Sequence, residues 1–197
     1  MKEKYPHRGI SYNKEEGAEF YNYIYTTSNE YKKNFRDSSY YNLYKMTLEI
    51  LIQNQSKSIL EAGCGCGIFA SMLYKSKYKV KYCGFDFSSV GLDRARKNCP
   101  NYKFIFDNIY TSQLYETHDY DTVISHEVLE HLNDDISFLR KLKKDTLLIA
   151  SVPEFDCDSH VRYFTNENQI LFRYKRCANI DKILYTDKMF LFYGKIK

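Results

Sequence analysis

The sequence contains no tryptophan, only three prolines, and no run of about 18 apolar residues of the kind that spans a membrane. A transmembrane helix is therefore not expected. The N-terminal segment Met1–Pro6 also lacks the apolar core of a secretory signal peptide. These absences predict a cytoplasmic protein that does not act at a membrane.

The six cysteines do not form any Cys-x-x-Cys pair. Cys64 and Cys66 flank a single glycine, a spacing that suits neither a zinc knuckle nor a disulfide framework. We therefore expect reduced thiols, as is usual inside cells.

The overall composition is that of a globular protein: 44% of the 197 residues are hydrophobic and 27% are charged. The net charge of +4 is small and the basic residues are scattered, so a nucleic-acid partner is not favoured. Many of the twenty tyrosines fall within the first fifty-odd residues, where we predict helices over 14–27 and from Ser38 or Ser39 onward. We interpret residues 1–56 as a helical cap that contributes to a substrate pocket.

From Lys57 onward, strand and helix patterns alternate, which predicts βαβ units in a mostly parallel α/β sheet. The predicted strands are 58–61, 80–85, 102–106, 120–125, 146–152, 181–186 and 189–197, the last two forming a hairpin. The predicted helices are 68–74, 88–98, 127–131, 134–141 and 166–176. Such sheets bind ligands at the carboxyl ends of their strands, so residues 57–197 are predicted to be the ligand-binding domain.

A glycine-rich segment, residues 61–67, follows the first of these strands and leads into a helix. Its glycines alternate as G-x-G-x-G, which differs from the G-x-G-x-x-G fingerprint of dinucleotide-binding folds. Glu61 precedes the first glycine by two residues; its carboxylate would repel a phosphate and attract an ammonium group. A ligand with an amino acid moiety fits this loop better than a nucleotide phosphate does.

Two further acids end the next two predicted strands. Asp86 can accept hydrogen bonds from both hydroxyls of a ribose, and Phe87 can pack on an adenine ring. Asp107 can accept from an exocyclic amine, with the backbone amides of the residues after it near the ring nitrogens. Three strand-end acids in one sheet favour a single adenosyl ligand over three unrelated turn residues.

With these residues, the chain resembles class I S-adenosylmethionine (SAM)-dependent methyltransferases of the bacterial small-molecule type. The segment ILEAGCGCGIFA at 59–70 resembles their first motif, and YDTVISHEVLEHL at 120–132 resembles their fourth-strand motif. The resemblance implies a Rossmann-like, seven-stranded, mostly parallel sheet with a C-terminal antiparallel hairpin strand. It also implies SAM as the cofactor and S-adenosylhomocysteine as the product. The implied cofactor-binding residues are Glu61, Gly63, Cys64, Gly65, Gly67, Asp86, Phe87, Ser88, Asp107, Asn108, Ile109, Ser125 and His126.

The reaction needs a general base only if the methyl acceptor is a hydroxyl or a protonated amine. His126, His131 and His160 are the catalytic candidates, because an imidazole with a pKa near neutrality suits proton transfer. Glu127 and Glu130 also follow the fourth strand and are further candidates.

A metal-dependent alternative uses the same residues. Glu127, Glu130 and His131 would share about one turn of the predicted helix, and His160 could add a fourth ligand. This set is similar to the metal site of small-RNA 2′-O-methyltransferases and of ubiquinone-pathway O-methyltransferases. Because comparable segments are common in class I enzymes without a metal, a divalent metal stays open but is not favoured.

The predicted function is methyl transfer to an oxygen or nitrogen of a small polar metabolite: a sugar, an amine or a phosphorylated compound. O-methylation of a sugar-like acceptor is preferred, since only a short loop separates Pro153 from Asn166 and the tyrosines must cover the pocket. The alternatives are a metal-assisted RNA 2′-O-methyltransferase and a non-catalytic partner subunit that keeps the fold. A homodimer is left open.

Overall fold

The computed structural model describes residues 14–197, together with the backbone of Lys4–Tyr5 (β1) and Ile10–Ser11 (β2), which pair as short antiparallel strands. The rest of the segment Met1–Pro6 lies outside the described residues. Within the described part of the chain, no helix combines the length and apolarity needed to cross a membrane.

Two helices precede the main sheet, as predicted, although both begin later than expected. Helix α1 spans Ala18–Thr27 and α2 spans Tyr41–Gln53, with a short 3₁₀ turn at Glu30–Lys32 between them. The predicted serine caps do not start α2, because the hydroxyls of Ser38 and Ser39 bond to the Glu30 carboxylate, at 3.3 and 2.9 Å. That carboxylate thereby ties the 3₁₀ turn to the beginning of α2.

One sheet of seven strands organises the rest of the described chain. The strands are β3 (Ser58–Ala62), β4 (Lys81–Asp86), β5 (Lys103–Phe106), β6 (Thr122–His126), β7 (Leu147–Pro153), β8 (Ala178–Thr186) and β9 (Met189–Ile196). Their order is β5-β4-β3-β6-β7-β9-β8; β9 runs antiparallel to both of its neighbours and the other pairs are parallel. This confirms the predicted seven-stranded Rossmann-like sheet with its antiparallel C-terminal hairpin.

The strand order reverses between β3 and β6, and such a reversal opens a crevice at the carboxyl ends of the strands. Helices cover both faces of the sheet: α3 (Ile68–Lys75), α4 (Ser89–Asn98), α5 (Leu114–Thr117), α6 (Asp135–Arg140) and α7 (Glu167–Tyr174). One apolar core includes Leu51, Phe69 and Leu92, and the core on the other side includes Phe138 and Ile170. The two cores hold the crevice residues in place from both sides.

The prediction of a helix over 127–131 is wrong, because this segment forms a turn. Glu127 has a positive φ of 52°, and α6 begins only at Asp135. The backbone carbonyls that a helix would use are bonded elsewhere: the Glu130 carbonyl accepts from the Val161 amide at 2.8 Å. The Arg162 guanidinium donates to the carbonyls of Leu129 and Leu132. These partners lie about thirty residues further along the chain and were not visible in the local pattern.

Candidate functional site

The glycine loop between β3 and α3 is held against the end of β4. The amides of Gly63 and Cys64 both donate to the Phe85 carbonyl, at 2.9 and 3.1 Å. Gly65 has a φ of +49°, and a Cβ at this position would lie 2.9 Å from the hydroxyl of Tyr25 on α1. A side chain at position 65 would therefore displace α1 from the loop as well as strain the backbone.

The Asp86 carboxylate connects this loop to the start of α4. One oxygen, Oδ2, accepts from the Gly65 amide at 2.9 Å, and Oδ1 accepts from the Ser88 amide at 2.8 Å. Burial raises the pKa of Asp86 to about 6, although these amide hydrogen bonds favour the charged form. Each carboxylate oxygen can accept a second hydrogen bond, so the group can also bind two ligand hydroxyls.

A first cavity of about 90 Å³ lies beside Asp86. It is lined by the residues predicted to surround an adenosine, Asp86, Phe87, Asp107, Asn108 and Ile109, and also by Tyr21, Tyr25 and Tyr110. The Asp107 carboxylate accepts from the Asn108 amide at 2.8 Å, which orients this acid at the end of β5. The structure therefore brings the second and third predicted acids to one cavity.

A second cavity of about 190 Å³ adjoins the first and is lined by the glycine loop. The two cavities share Tyr21, Tyr25, Gly63, Glu127 and His131 as lining residues, so they are parts of one cleft. The second part also contains Glu61 and three further tyrosines, Tyr31, Tyr40 and Tyr44. The density of tyrosines in the N-terminal sequence indicated a cover for the pocket but not which rings would enter it.

Glu61 is the buried acid at the end of β3, and the Tyr82 hydroxyl donates to its carboxylate. Burial raises the pKa of Glu61 to about 8, against the opposing effect of the Tyr82 hydrogen bond. Glu61 is therefore mostly protonated at pH 7 in the ligand-free chain. An ammonium group placed beside it would stabilise the charged form and lower its pKa again.

The pKa of Glu61 predicts how stability depends on pH. Because the native state holds this proton more tightly than the unfolded chain, the stabilisation is complete below pH 4.5 and is lost as the pH rises through about 8. We expect Glu61→Gln to flatten the decline in the free energy of unfolding between pH 5 and 8 by on the order of 1 kcal/mol per pH unit. Urea titrations at several pH values measure this slope. The exposed Glu116→Gln serves as the control, and equal slopes in wild type and Glu61→Gln would contradict the assignment.

His126 ends β6 and borders the second cavity. Its Nε2 lies 2.9 Å from the Thr47 hydroxyl, which itself donates to the Leu43 carbonyl at 3.0 Å. The Thr47 hydroxyl has a single proton, so His126 Nε2 carries the hydrogen of that contact. Burial lowers the pKa of His126 to about 3, so the ring is neutral at pH 7.

The turn after β6 brings a carboxylate and two imidazoles together. His131 and His160 have ring centroids 4.8 Å apart, and Glu130 Oε1 lies 3.7 Å from His131 Nε2. Burial lowers the pKa of both histidines to about 4, while burial and the neighbouring Glu127 raise that of Glu130. Glu127 itself accepts a hydrogen bond from the Ser151 hydroxyl at 2.8 Å, and burial raises its pKa above the usual range of a glutamate.

Three predicted cofactor-binding residues do not line either cavity. Gly67 directly precedes α3, and a Cβ added there would lie 2.8 Å from the Ala95 Cβ, so the glycine allows close packing of α3 on α4. The Ser88 hydroxyl caps α4 by accepting from the Gly91 amide, and Ser125 is fully buried in β6. Their direct contact with a ligand stays a prediction.

Comparisons with known proteins identify the family to which the chain belongs. A family model described as a methyltransferase domain matches residues 35–185, well over half of the chain. A search of curated protein sequences found no significant match.

Solved structures similar to the chain carry the same fold. An O-methyltransferase family protein from Burkholderia thailandensis has a TM-score of 0.64 at 10% identity, over 80% of this chain and 56% of that one. The magnesium protoporphyrin IX methyltransferase ChlM of Synechocystis PCC 6803 with bound SAM has a TM-score of 0.63 at 15% identity, covering 92% of each chain. The N-methyltransferase NodS of Bradyrhizobium japonicum WM9 with bound S-adenosylhomocysteine has a TM-score of 0.61 at 14% identity, covering 88% and 91%.

The chain belongs to the class I SAM-dependent methyltransferases, and SAM is its cofactor. The residues present suit this cofactor: Asp86 has free acceptor capacity for ribose hydroxyls, Phe87 and Asp107 border the same cavity, and Glu61 lies beside the glycine loop. The family match begins at residue 35, ahead of β3, and the division into a cap of 1–56 and a binding domain of 57–197 stays a prediction.

Proposed function

We propose that the chain methylates an oxygen or nitrogen of a small polar metabolite, such as a sugar, an amine or a phosphorylated compound. The observation that carries this proposal is the second cavity, about 190 Å³ in volume and lined by tyrosines of the N-terminal helices and by the glycine loop. A space of this size suits a small molecule. Tyrosine rings and hydroxyls offer it both apolar contact and hydrogen bonds.

SAM supplies a methyl group that its sulfonium already activates, so the protein mainly has to hold the acceptor atom in line with it. In the transfer, the sulfur–methyl bond breaks, an oxygen–methyl or nitrogen–methyl bond forms, and the sulfur leaves as a neutral thioether. Asp86 and the glycine loop would hold the adenosyl and amino acid portions, and the tyrosines would hold the acceptor. Alignment of this kind can supply roughly 7–11 kcal/mol of the barrier reduction.

An acceptor hydroxyl must also lose its proton, and we propose that the Glu127 carboxylate accepts it as the general base. Glu127 is the carboxylate that borders both cavities, and the Ser151 hydroxyl fixes its orientation. Burial raises the pKa of Glu127, which makes its carboxylate a better proton acceptor than an exposed one. By contrast, the pKa values of the predicted bases His126, His131 and His160 are about 3, 4 and 4, which makes them weak bases.

The test of the function is methyl transfer from labelled SAM to a panel of sugar nucleotides, phosphorylated amines and small RNAs. We expect label in one class of small molecule. Label in RNA alone would replace the proposal with an RNA methyltransferase. If no member of the panel is labelled, and if variants that have lost SAM binding still perform the protein's role in the cell, the chain would be a non-catalytic subunit.

The role of Glu127 is tested with the acceptor that this panel identifies. For a hydroxyl acceptor, Glu127→Gln should lower kcat about 100-fold or more, because general-base catalysis typically contributes that much. The KM for SAM should stay within about threefold, and the exposed Glu116→Gln should retain full activity. An unchanged kcat on a hydroxyl acceptor would remove Glu127 from the proton-transfer step.

A further inference from the structure

A third cavity, of about 480 Å³, is lined by α3, by α4 and by the 3₁₀ turn with the residues that follow it. Five of its lining residues are basic and none of those described is acidic. We call it the basic cavity, after Lys32, Lys33, Lys75, Arg94 and Lys97. Cations gathered in one concave site attract anions, and arginine and lysine are the usual partners of phosphate groups in proteins.

Arg94 is the residue of the basic cavity that most needs an anion. Its Nη1 is buried, and no oxygen acceptor among the described residues bonds to it. The guanidinium has a hydrogen bond with the Cys66 thiol, which is a weak acceptor and is uncharged, because burial raises the pKa of Cys66 to about 11. A half-buried guanidinium with this contact alone is costly, which indicates that an anion completes the site.

The lysines of the basic cavity have local roles as well, but Arg94 does not. Lys75 and Lys97 lie in the last turns of α3 and α4, where a positive charge interacts favourably with the negative end of a helix. Lys33 is paired with Glu30. Arg94 lies in the middle of α4, so neither a helix end nor an ion pair with a described carboxylate accounts for it.

The basic cavity adjoins the second cavity of the cleft. Tyr31 and Ile68 line both spaces. Cys66, the residue that bonds to Arg94, also lines the second cavity. Arg94 therefore lies at the boundary between the two spaces, and a ligand that crosses this boundary has one end in each.

The cleft itself offers no cationic side chain to an anionic ligand. Neither of its two parts has a lysine or arginine among the described lining residues, whereas both have carboxyl groups, those of Glu61, Asp86, Asp107 and Glu127. The charged carboxylates repel a phosphate group. Of the three adjoining spaces, the basic cavity is therefore the one that can neutralise a phosphate.

We propose that the basic cavity binds a phosphate group of the methyl acceptor, with Arg94, Lys32 and Lys97 as its partners. The acceptor is then a phosphorylated small molecule whose reacting oxygen or nitrogen lies in the second cavity and whose phosphate extends past Tyr31. The planar guanidinium of Arg94 can donate two parallel hydrogen bonds to such a group. That the phosphate belongs to the acceptor rests on the proposed function, whereas the binding of an anion does not.

Calorimetric titration with pyrophosphate at low ionic strength tests the anion site, because salt screens contacts of this kind. The full chain is first saturated with S-adenosylhomocysteine, so that the cofactor site is filled. We expect one site per chain, weakened at least tenfold in Arg94→Gln and at least threefold in Lys97→Gln. The exposed Arg176→Gln and Lys144→Gln are the matched controls and should bind as wild type does.

The absence of saturable pyrophosphate binding would overturn the proposal, and so would equal losses in Arg94→Gln and Arg176→Gln. Both cavity variants should give a cooperative thermal transition and keep their affinity for SAM within about threefold, so that a loss of binding is not a loss of folding. Saturable binding of a short single-stranded RNA, without binding of pyrophosphate, would assign the basic cavity to nucleic acid instead.

The acceptor is tested with pairs of compounds that differ only by a phosphate group, each incubated with labelled SAM. The phosphorylated member should have a kcat/KM at least tenfold higher, and Arg94→Gln should remove most of this difference. Equal values for the two members would overturn the assignment. Transfer to an unphosphorylated acceptor without pyrophosphate binding refutes only the basic cavity, whereas pyrophosphate binding without transfer to any small molecule refutes only the proposed function and its acceptor.

Discussion

Asp86→Ala is expected to reduce the affinity for SAM at least 100-fold, or about 2.7 kcal/mol. The carboxylate is the predicted acceptor for the ribose hydroxyls, and hydrogen bonds to a charged group contribute about 1.5–3 kcal/mol each. The same carboxylate holds the glycine loop through the Gly65 amide and the start of α4 through the Ser88 amide. Its removal therefore takes away a ligand contact and loosens the loop that surrounds the ligand.

Calorimetric titration with SAM measures this loss. Asp93→Ala is the matched control, because Asp93 is exposed on α4 and pairs with Arg96 at 3.1 Å on the same helix. Asp86→Asn keeps one acceptor oxygen and should lie between wild type and Asp86→Ala. A change of less than threefold in Asp86→Ala, with an unaltered circular dichroism spectrum, would exclude Asp86 from the cofactor site.

Asp135→Ala should lower the free energy of unfolding by about 3–5 kcal/mol, the usual cost of removing one partner from a buried ion pair. Asp135 is fully buried and accepts from Arg173 at 2.6 and 2.7 Å and from the Tyr174 hydroxyl at 2.9 Å. Arg162 lies 3.5 Å away. Without Asp135, two cations at least partly buried would lose their counterion.

Denaturant titration at pH 7 measures the change. The exposed Asp181→Ala should shift stability by no more than about 0.5 kcal/mol. A loss below 1 kcal/mol would show that Asp135 is not the counterion that holds Arg162 and Arg173 in place.

The part of the cleft predicted to hold the cofactor was visible in the sequence because its signals are local. Each acid lies at or next to the end of a short strand, and the alternating glycines mark a tight loop that leads into a helix. In a parallel sheet these strand ends meet at one edge, so Asp86 and Asp107 were expected to share a cavity, and they do.

The part of the cleft where we propose that the acceptor binds was less predictable, because it depends on contacts distant in sequence. The helix expected over 127–131 is a turn, since its carbonyls bond to Val161 and Arg162. His126 borders the second cavity as expected, but its hydrogen bond to Thr47 on α2 was not visible in the sequence, and its role stays a prediction.

The sequence alone determined the class of fold, and its resemblance to known methyltransferases indicated the cofactor. It also located the predicted cofactor-binding acids, because hydrophobic periodicity and strand-end motifs are properties of neighbouring residues. Only the tertiary structure decided which tyrosines close the cleft and how Glu130, His131 and His160 meet. Those arrangements depend on the packing of α1 over the glycine loop and on the hydrogen bonds from Arg162 to the carbonyls of the turn after β6. These contacts join groups that are about thirty residues or more apart in the chain, so no local sequence pattern predicts them.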